Sequence, residues 1–309
     1  MNARKFTKLF FILTTLIFII IEIIFQLNKC QHKSKIDYII NHKLNNMKNK
    51  SYDSLILGDS ISTMVLSPTI IKNNILDLST TVPVSLVGNY FAIKRYLENN
   101  NEVESIYLFT SVELLNETLN RNLTYSYFES IFTRRNEIKE VTKIRPDLYK
   151  NTFLDNYFIS RKNKLTLSKC LVHKIKQKPT YINETDLIKK SDFTNRAIND
   201  KIIKYKEYNT IPELPKIYLD KIIELSNSNN IKFTLIIEPS LEDANKLFLK
   251  SKWKRYLDKL PITIININNY YQFNNYAFKS DGLHLRGDNN LYYQNLINRH
   301  ILKLYKEEK

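Results

Sequence analysis

The sequence predicts an α/β fold built on a five-stranded parallel sheet. Beyond residue 50, short apolar runs alternate with stretches of helical periodicity, the pattern of strands joined by helical crossovers. Composition agrees, since 43% hydrophobic and 25% charged residues match a chain that buries a core. A length of 309 residues fits one large α/β domain or two smaller ones.

The strands are placed at Ser54–Leu57, Ile75–Ser79, Ser105–Phe109, Lys232–Ile237 and Ile262–Ile267. Between the second and third, Leu86, Tyr90, Ile93 and Leu97 fall on one helix face. Leu214, Ile217, Tyr218, Ile222 and Leu225 repeat that spacing before the fourth strand, and Tyr293, Leu296, Ile297, His300, Ile301 and Leu304 line a last helix. Residues 114–211 are a large, mostly helical insertion, because a parallel crossover needs only about a dozen residues. Within it Tyr125, Tyr127, Phe128, Phe132, Phe153, Tyr157 and Phe158 stand beside Arg134, Arg135, Arg145 and Arg161. They read as the core and rim of a helical lid rather than as a stacking surface for bases or sugars.

Ahead of this domain lies an anchor. The 17-residue run Leu9–Phe25 is apolar except for Thr14, Thr15 and Glu22, and as a helix it spans about 26 Å, the short end of what crosses a bilayer. No small-x-small cleavage site follows it, and Lys29 before Cys30 is not the small residue that lipid attachment requires. Basic residues are nearly balanced across the run, with Arg4, Lys5 and Lys8 before it and Lys29, Lys33 and Lys35 after it. The expected division is residues 1–35 as tail and transmembrane anchor, and 36–309 as the α/β domain.

A net charge of +16 raises the question of nucleic acid. The basic residues are spread along the chain without a dense block, so no nucleic acid is expected, and an anionic membrane or envelope polymer would be attracted equally. Only four glycines are present, which argues against a glycine-rich phosphate loop. The two cysteines, Cys30 and Cys170, form neither a disulfide framework nor a C-x-x-C pair. His32, His42 and His173 have no partner spacing, His300 falls on the buried face of the last helix, and no metal motif is present.

Chemistry concentrates at two motifs. Gly58-Asp59-Ser60-Ile61-Ser62 follows the first strand directly, where ligands bind in an open parallel sheet. Gly58 permits a sharp strand-to-helix turn, and a helix starting at Ser60 directs N–H groups and a positive dipole toward an oxyanion. Asp281-Gly282-Leu283-His284 follows the fifth strand and offers a base for the serine together with a carboxylate to orient that base. Taken alone, the first motif also reads as a helix cap and His284 as a satisfied loop histidine.

Together, these two motifs resemble the SGNH (GDSL-type) hydrolase superfamily, in particular its membrane-anchored branch that handles acyl groups on cell-envelope polymers. The resemblance covers roughly residues 52–112 and 230–305. It implies a three-layer α/β/α, flavodoxin-like fold, no cofactor, Ser60 as nucleophile, His284 as base and Asp281 as its orienting acid. The family's middle motifs, a glycine after the second strand and Gly-x-Asn-Asp after the third, are replaced here by Ser79-Thr80 and Thr110-Ser111-Val112-Glu113. Val112 has no side-chain donor, so the oxyanion candidates are the Ser60 and Thr80 N–H groups and Asn116. The expected function is an extracytoplasmic esterase or O-acyltransferase acting on an acylated envelope glycan or polymer through an acyl-serine intermediate, with an integral membrane acyl-transfer protein as a possible partner. The competing expectation is a catalytically silent, membrane-tethered binding or assembly protein that retains the fold.

Overall fold

Five short, mostly buried strands form the centre of the larger of two compact units. A computed structural model of the chain describes residues 3–27, 51–65, 74–80, 84–100, 102–119, 135–148, 210–279 and 283–307. In chain order the elements are α1 (Ala3–Leu27), β1 (Ser54–Leu57), α2 (Ser60–Val65), β2 (Ile75–Asp77), α3 (Ser85–Leu97), β3 (Ser105–Thr110) and α4 (Val112–Leu115). Then come α5 (Arg135–Ile144), α6 (Glu213–Ser228), β4 (Lys232–Ile237), α7 (Glu242–Leu249), α8 (Lys252–Leu257), β5 (Thr263–Asn266) and α9 (Gly287–Glu307).

Contacts within the chain define one unit of Met1–Lys35 with Thr133–Asp186 and another of Ile36–Phe132 with Leu187–Lys309. The second unit holds the sheet, whose order is β2-β1-β3-β4-β5 with every neighbouring pair parallel. The expected parallel α/β architecture is therefore observed. In this order the chain reverses its direction of travel across the sheet between β1 and β3, and the carboxyl ends of those two strands open the crevice where such sheets bind ligands.

The strands are buried on both faces, which explains their unbroken apolar runs. Leu55, Ile56, Leu57, Ile106, Leu108, Phe109, Leu235 and Ile237 have no exposed surface. β2 ends at Asp77, two residues before the expected Ser79, because the Asp77 Oδ1 takes the Ser79 N–H at 2.8 Å and turns the chain. β3 gains Thr110, which pairs with Ile237. β5 is trimmed to Thr263–Asn266, as the Asn266 side chain accepts the Asn268 N–H and starts a 3₁₀ turn.

Helix α3 buries Leu86, Tyr90 and Ile93 as its spacing predicts, together with Arg95 and Tyr96. It packs against α6, where the Tyr90, Phe91 and Tyr218 rings meet with centroids 5.0–5.8 Å apart. On α6 the buried arc differs from the predicted one. Leu214, Tyr218 and Ile222 are buried, but Leu219, Ile223 and Ser226 join them while Ile217 and Leu225 are only half-buried. The cause is that α6 meets both α3 and β4, which rotates its covered face. At the far side, Trp253 of α8 is buried and donates its indole N–H to Asn116 Oδ1 at 3.0 Å.

In the other unit, α1 exposes Phe6, Phe10, Phe11, Ile12, Leu13 and Leu16 among others. Among the described residues, no helix is long and apolar enough to cross a membrane. Arg145, expected as part of an aromatic–arginine lid, makes a bidentate pair with Asp147 at 2.7 and 2.8 Å. Tyr125, Tyr127, Phe128, Phe132, Arg134, Phe153, Tyr157, Phe158 and Arg161 lie outside the described residues, as do Cys30, Cys170, His32, His42 and His173.

The turn after β1 is set by what Gly58 lacks. A Cβ at Gly58 would stand 2.3 Å from Ser62 Oγ, 2.8 Å from Ser62 Cβ and 2.9 Å from Phe109 Cβ. The Ser62 hydroxyl could rotate away, but Phe109 Cβ is fixed in the central strand. Gly58→Ala is expected to lower stability by about 1–3 kcal/mol, read from a reduced denaturant midpoint, and adding Ser62→Ala should restore only part of it.

Candidate functional site

Every polar group of the candidate site sits at the carboxyl edge of the sheet, brought there by strand register. β1 ends at Leu57, and Gly58 carries the chain straight into α2 without a loop. Asp59 caps that helix: its Oδ1 accepts the Ile61 N–H at 2.8 Å, and its carbonyl accepts the Thr63 N–H at 3.1 Å and the Ser62 hydroxyl at 2.7 Å. The capping reading of the motif thus holds for Asp59, and it leaves the Ser60 side chain, at the first helical position, directed elsewhere.

Ser60 Oγ lies 2.8 Å from His284 Nε2. With the Nδ1–H tautomer the serine hydroxyl donates to Nε2, which is the arrangement required for the imidazole to receive its proton. His284 is held by a short antiparallel bridge between Phe278 and Leu285. The Lys279 N–H donates to the His284 carbonyl at 2.6 Å, and the Arg286 N–H to the Ala277 carbonyl at 2.8 Å. Immediately beyond, α9 packs back on α2, so the base and the serine share a foundation. Asp281 lies outside the described residues.

The two remaining oxyanion candidates are engaged elsewhere. The Thr80 N–H and hydroxyl both donate to the Gly58 carbonyl, at 3.0 and 3.3 Å, which ties the end of β2 to the turn after β1. Asn116 is buried, with its Nδ2 donating to the Val112 carbonyl at 2.9 Å and its Oδ1 accepting from Trp253. Because the indole can only donate, the orientation of this amide is fixed. As placed, the hydrogen bonds of both residues brace the fold around the site. Ser111 caps α4 through the Leu114 N–H, and Val112 is buried.

Buried carboxyls behind the serine turn are the feature that sequence reasoning missed. Asp59 is almost fully buried, and desolvation pushes its pKa up to about 6, against partial relief from the Ile61 N–H and the His284 imidazole and a further push from Glu113. Glu238 follows β4 directly, its N–H donating to the Thr110 carbonyl at 3.0 Å. It has no exposed surface, and among the described residues neither carboxyl oxygen has a hydrogen-bond partner. Burial, and then the Asp59 charge, hold its pKa well above the usual carboxylate range. The Tyr293 hydroxyl, also buried and without a hydrogen-bond partner among the described residues, is raised in pKa by burial and then by the same two carboxyls. The available signal was positional: a carboxylate directly after the apolar run Lys232–Ile237, at the ligand-binding end of a parallel strand.

Nearby, Asn268 locks the exits of β4 and β5. Its Oδ1 accepts the Ser240 N–H at 3.0 Å, and its Nδ2 donates to the Glu238 carbonyl at 3.2 Å and to Asn266 Oδ1 at 2.9 Å. Among the described residues, no group of three or more His, Cys, Asp or Glu side chains is arranged to hold a metal.

The Asp59 shift has a sign that stability measurements read. The folded protein binds this proton more tightly than the unfolded chain does, so the contribution is present below the unfolded value of 3.8 and is lost as pH rises through about 6. Asp59→Asn retains the acceptor for Ile61 but has no proton to lose. Between about pH 4 and pH 7, wild type should therefore lose up to about 3 kcal/mol relative to Asp59→Asn, measured as diverging denaturant midpoints.

No family model matches the chain, and no curated protein matches it.

Proposed function

We propose that the chain is a membrane-anchored serine esterase or O-acyltransferase of SGNH (GDSL-type) kind, acting on acyl groups of an extracytoplasmic envelope glycan or related polymer. The observation that carries this reading is the 2.8 Å approach of Ser60 Oγ to His284 Nε2, made across the carboxyl edge of the sheet. Such a pair supports a two-step acyl transfer. His284 takes the serine proton as Ser60 Oγ attacks the acyl carbonyl carbon, and the C–O bond to the glycan alcohol then breaks as His284 returns the proton to the leaving oxygen. Water or a second sugar hydroxyl attacks acyl-Ser60 with His284 again as base, regenerating the serine. Asp281, three residues before the base, orients the imidazole in this reading, and no cofactor takes part. The Ser60 N–H at the start of α2 is the oxyanion donor.

The anchor rests on α1. Its run Leu9–Phe25 is uninterrupted by basic residues, and the helix exposes Phe, Ile and Leu side chains that an apolar phase would cover. With the N-terminus cytoplasmic, the domain faces the envelope, where a chain of charge +16 is drawn to anionic polymer.

One observation favours a second reading, a catalytically silent tethered binding or assembly protein. Thr80 and Asn116 are both committed to structural hydrogen bonds, and the loss of an oxyanion donor can slow acyl transfer about 10²–10³-fold. A fluorophosphonate probe separates the readings. The full-length wild-type protein should be labelled at Ser60, Ser60→Ala should not be labelled, and His284→Gln should be labelled at least about 10²-fold more slowly. Absence of Ser60-dependent labelling together with absence of acetyl-ester turnover would establish the silent protein instead. For topology, a reporter fused to the C-terminus should register an extracytoplasmic location, and a cytoplasmic signal would remove the envelope substrate.

A further inference from the structure

Three acidic side chains from separate parts of the fold converge behind the serine turn, and the two-step acyl transfer uses none of them. Asp59 stands between Gly58 and Ser60, Glu238 follows β4, and Tyr293 lies on α9, which packs on α2. All three are buried, with 7%, 0% and 0% exposure. The ladder carries them to one edge: past the strand ends, the Thr80 N–H still donates to the Gly58 carbonyl and the Glu238 N–H to the Thr110 carbonyl. At that edge Glu238 interacts electrostatically with Asp59, and Tyr293 with both carboxyls.

The three differ in what supports a negative charge. Among the described residues, neither Glu238 oxygen nor the Tyr293 hydroxyl has a hydrogen-bond partner, so ionising either leaves a bare charge in the interior. Against the same cost of burial, Asp59 has the Ile61 N–H on its Oδ1 at 2.8 Å and the attraction of His284, opposed by Glu113 on α4. The cluster therefore holds a charge best on the member bonded directly to Ser60. That charge reaches His284 through space, since Ser60 Oγ is 2.8 Å from Nε2 and Asp59 is one residue behind. The attraction is reciprocal: whatever an imidazolium does for the Asp59 anion, the anion does for the imidazolium.

We propose that Asp59 is a positioning residue for the Ser60–His284 pair, its carboxylate stabilising the imidazolium by charge from the serine's own turn, while Glu238 and Tyr293 retain the protons of the cluster. The inference rests on the acyl-transfer reading, in which His284 becomes an imidazolium as it takes the Ser60 proton. A neutral imidazole feels little of the Asp59 charge, so the benefit falls on the transition state and not on the resting pair. This task differs from that of Asp281, which orients the ring. Its signature is a pH step. Burial raises the Asp59 pKa to about 6, so the ionisation that weakens the fold across this interval is the one that strengthens the base.

The test follows the rate of fluorophosphonate labelling at Ser60 in the full-length protein across this pH range, for wild type, Asp59→Asn and Glu238→Gln. Asparagine keeps the acceptor for the Ile61 N–H but never carries the charge. The ratio of wild-type to Asp59→Asn rates should be near one at about pH 4.5 and climb to about tenfold by about pH 8. Glu238→Gln should show the wild-type step at the same pH. A ratio that does not change with pH makes Asp59 a helix cap only and overturns the inference. A step that survives in Asp59→Asn, or that vanishes in Glu238→Gln, overturns it too by assigning the titration elsewhere. If Asp59→Asn fails to fold, Glu113→Gln takes its place: removing a charge that pushes the Asp59 pKa up should move the step to lower pH, and an unmoved step overturns the inference. Absence of Ser60-dependent labelling at every pH defeats the acyl-transfer reading and this inference with it, whereas labelling with a pH-independent ratio defeats this inference alone.

Discussion

The contact between Ser60 Oγ and His284 Nε2 joins residues 224 positions apart in the chain. Closing a loop of that length costs roughly 5 kcal/mol by its logarithmic length dependence alone, far more than one hydrogen bond returns. The contact therefore exists only because larger forces deliver its two ends to the same place. On one side, β1 is buried on both faces and Gly58 lets Phe109 and Ser62 close on the turn, fixing where α2 begins. On the other, the Phe278–Leu285 bridge and the packing of α9 on α2 bring the imidazole back. Asn268 ties the exits of β4 and β5 between them, so the whole carboxyl edge is held as one hydrogen-bonded rim.

That rim is also where the fold places groups that an ordinary core avoids. Asp59, after β1, and Glu238, after β4, are both buried at the carboxyl edge with β3 between their strands, and two such carboxyls cannot both carry charge cheaply in a low dielectric. Glu238, with no partner for either oxygen among the described residues, is pushed toward the neutral form, while Asp59 has a backbone N–H and a nearby imidazole to favour its anion. The serine turn thus rests on a carboxyl whose pKa burial raises to about 6.

The strand pattern was largely legible because a parallel sheet buried on both faces requires continuous apolar runs. Ser54–Leu57 and Lys232–Ile237 have the expected ends. The misplaced ends follow from side chains competing with the ladder: Asp77 capturing the Ser79 N–H, and Asn266 capturing that of Asn268. The rotation of the buried face on α6 was hidden because periodicity gives a helix's apolar stripe but not its second neighbour. Of the site, the Ser60–His284 pairing could be expected from two glycine-containing motifs at opposite ends of the sequence. The engagement of Asn116 with Trp253 could not, since the two lie 137 residues apart and nothing local in either segment signals the other. Glu238 was visible in principle as a charge abutting an apolar strand, but its burial depends on Thr110, Asn268 and the cover supplied by other elements.

The central claim is that Ser60 and His284 work as nucleophile and base. Brief exposure of the full-length protein to an activated acetyl ester, followed by acid quench and peptide mapping by mass spectrometry, tests it most directly. The account predicts an acetyl group on the peptide containing Ser60, absent when His284 is replaced by glutamine and discharged when the wild-type protein is returned to neutral buffer. Acetyl groups found only on lysines, or on Ser60 to the same extent with and without His284, would contradict it.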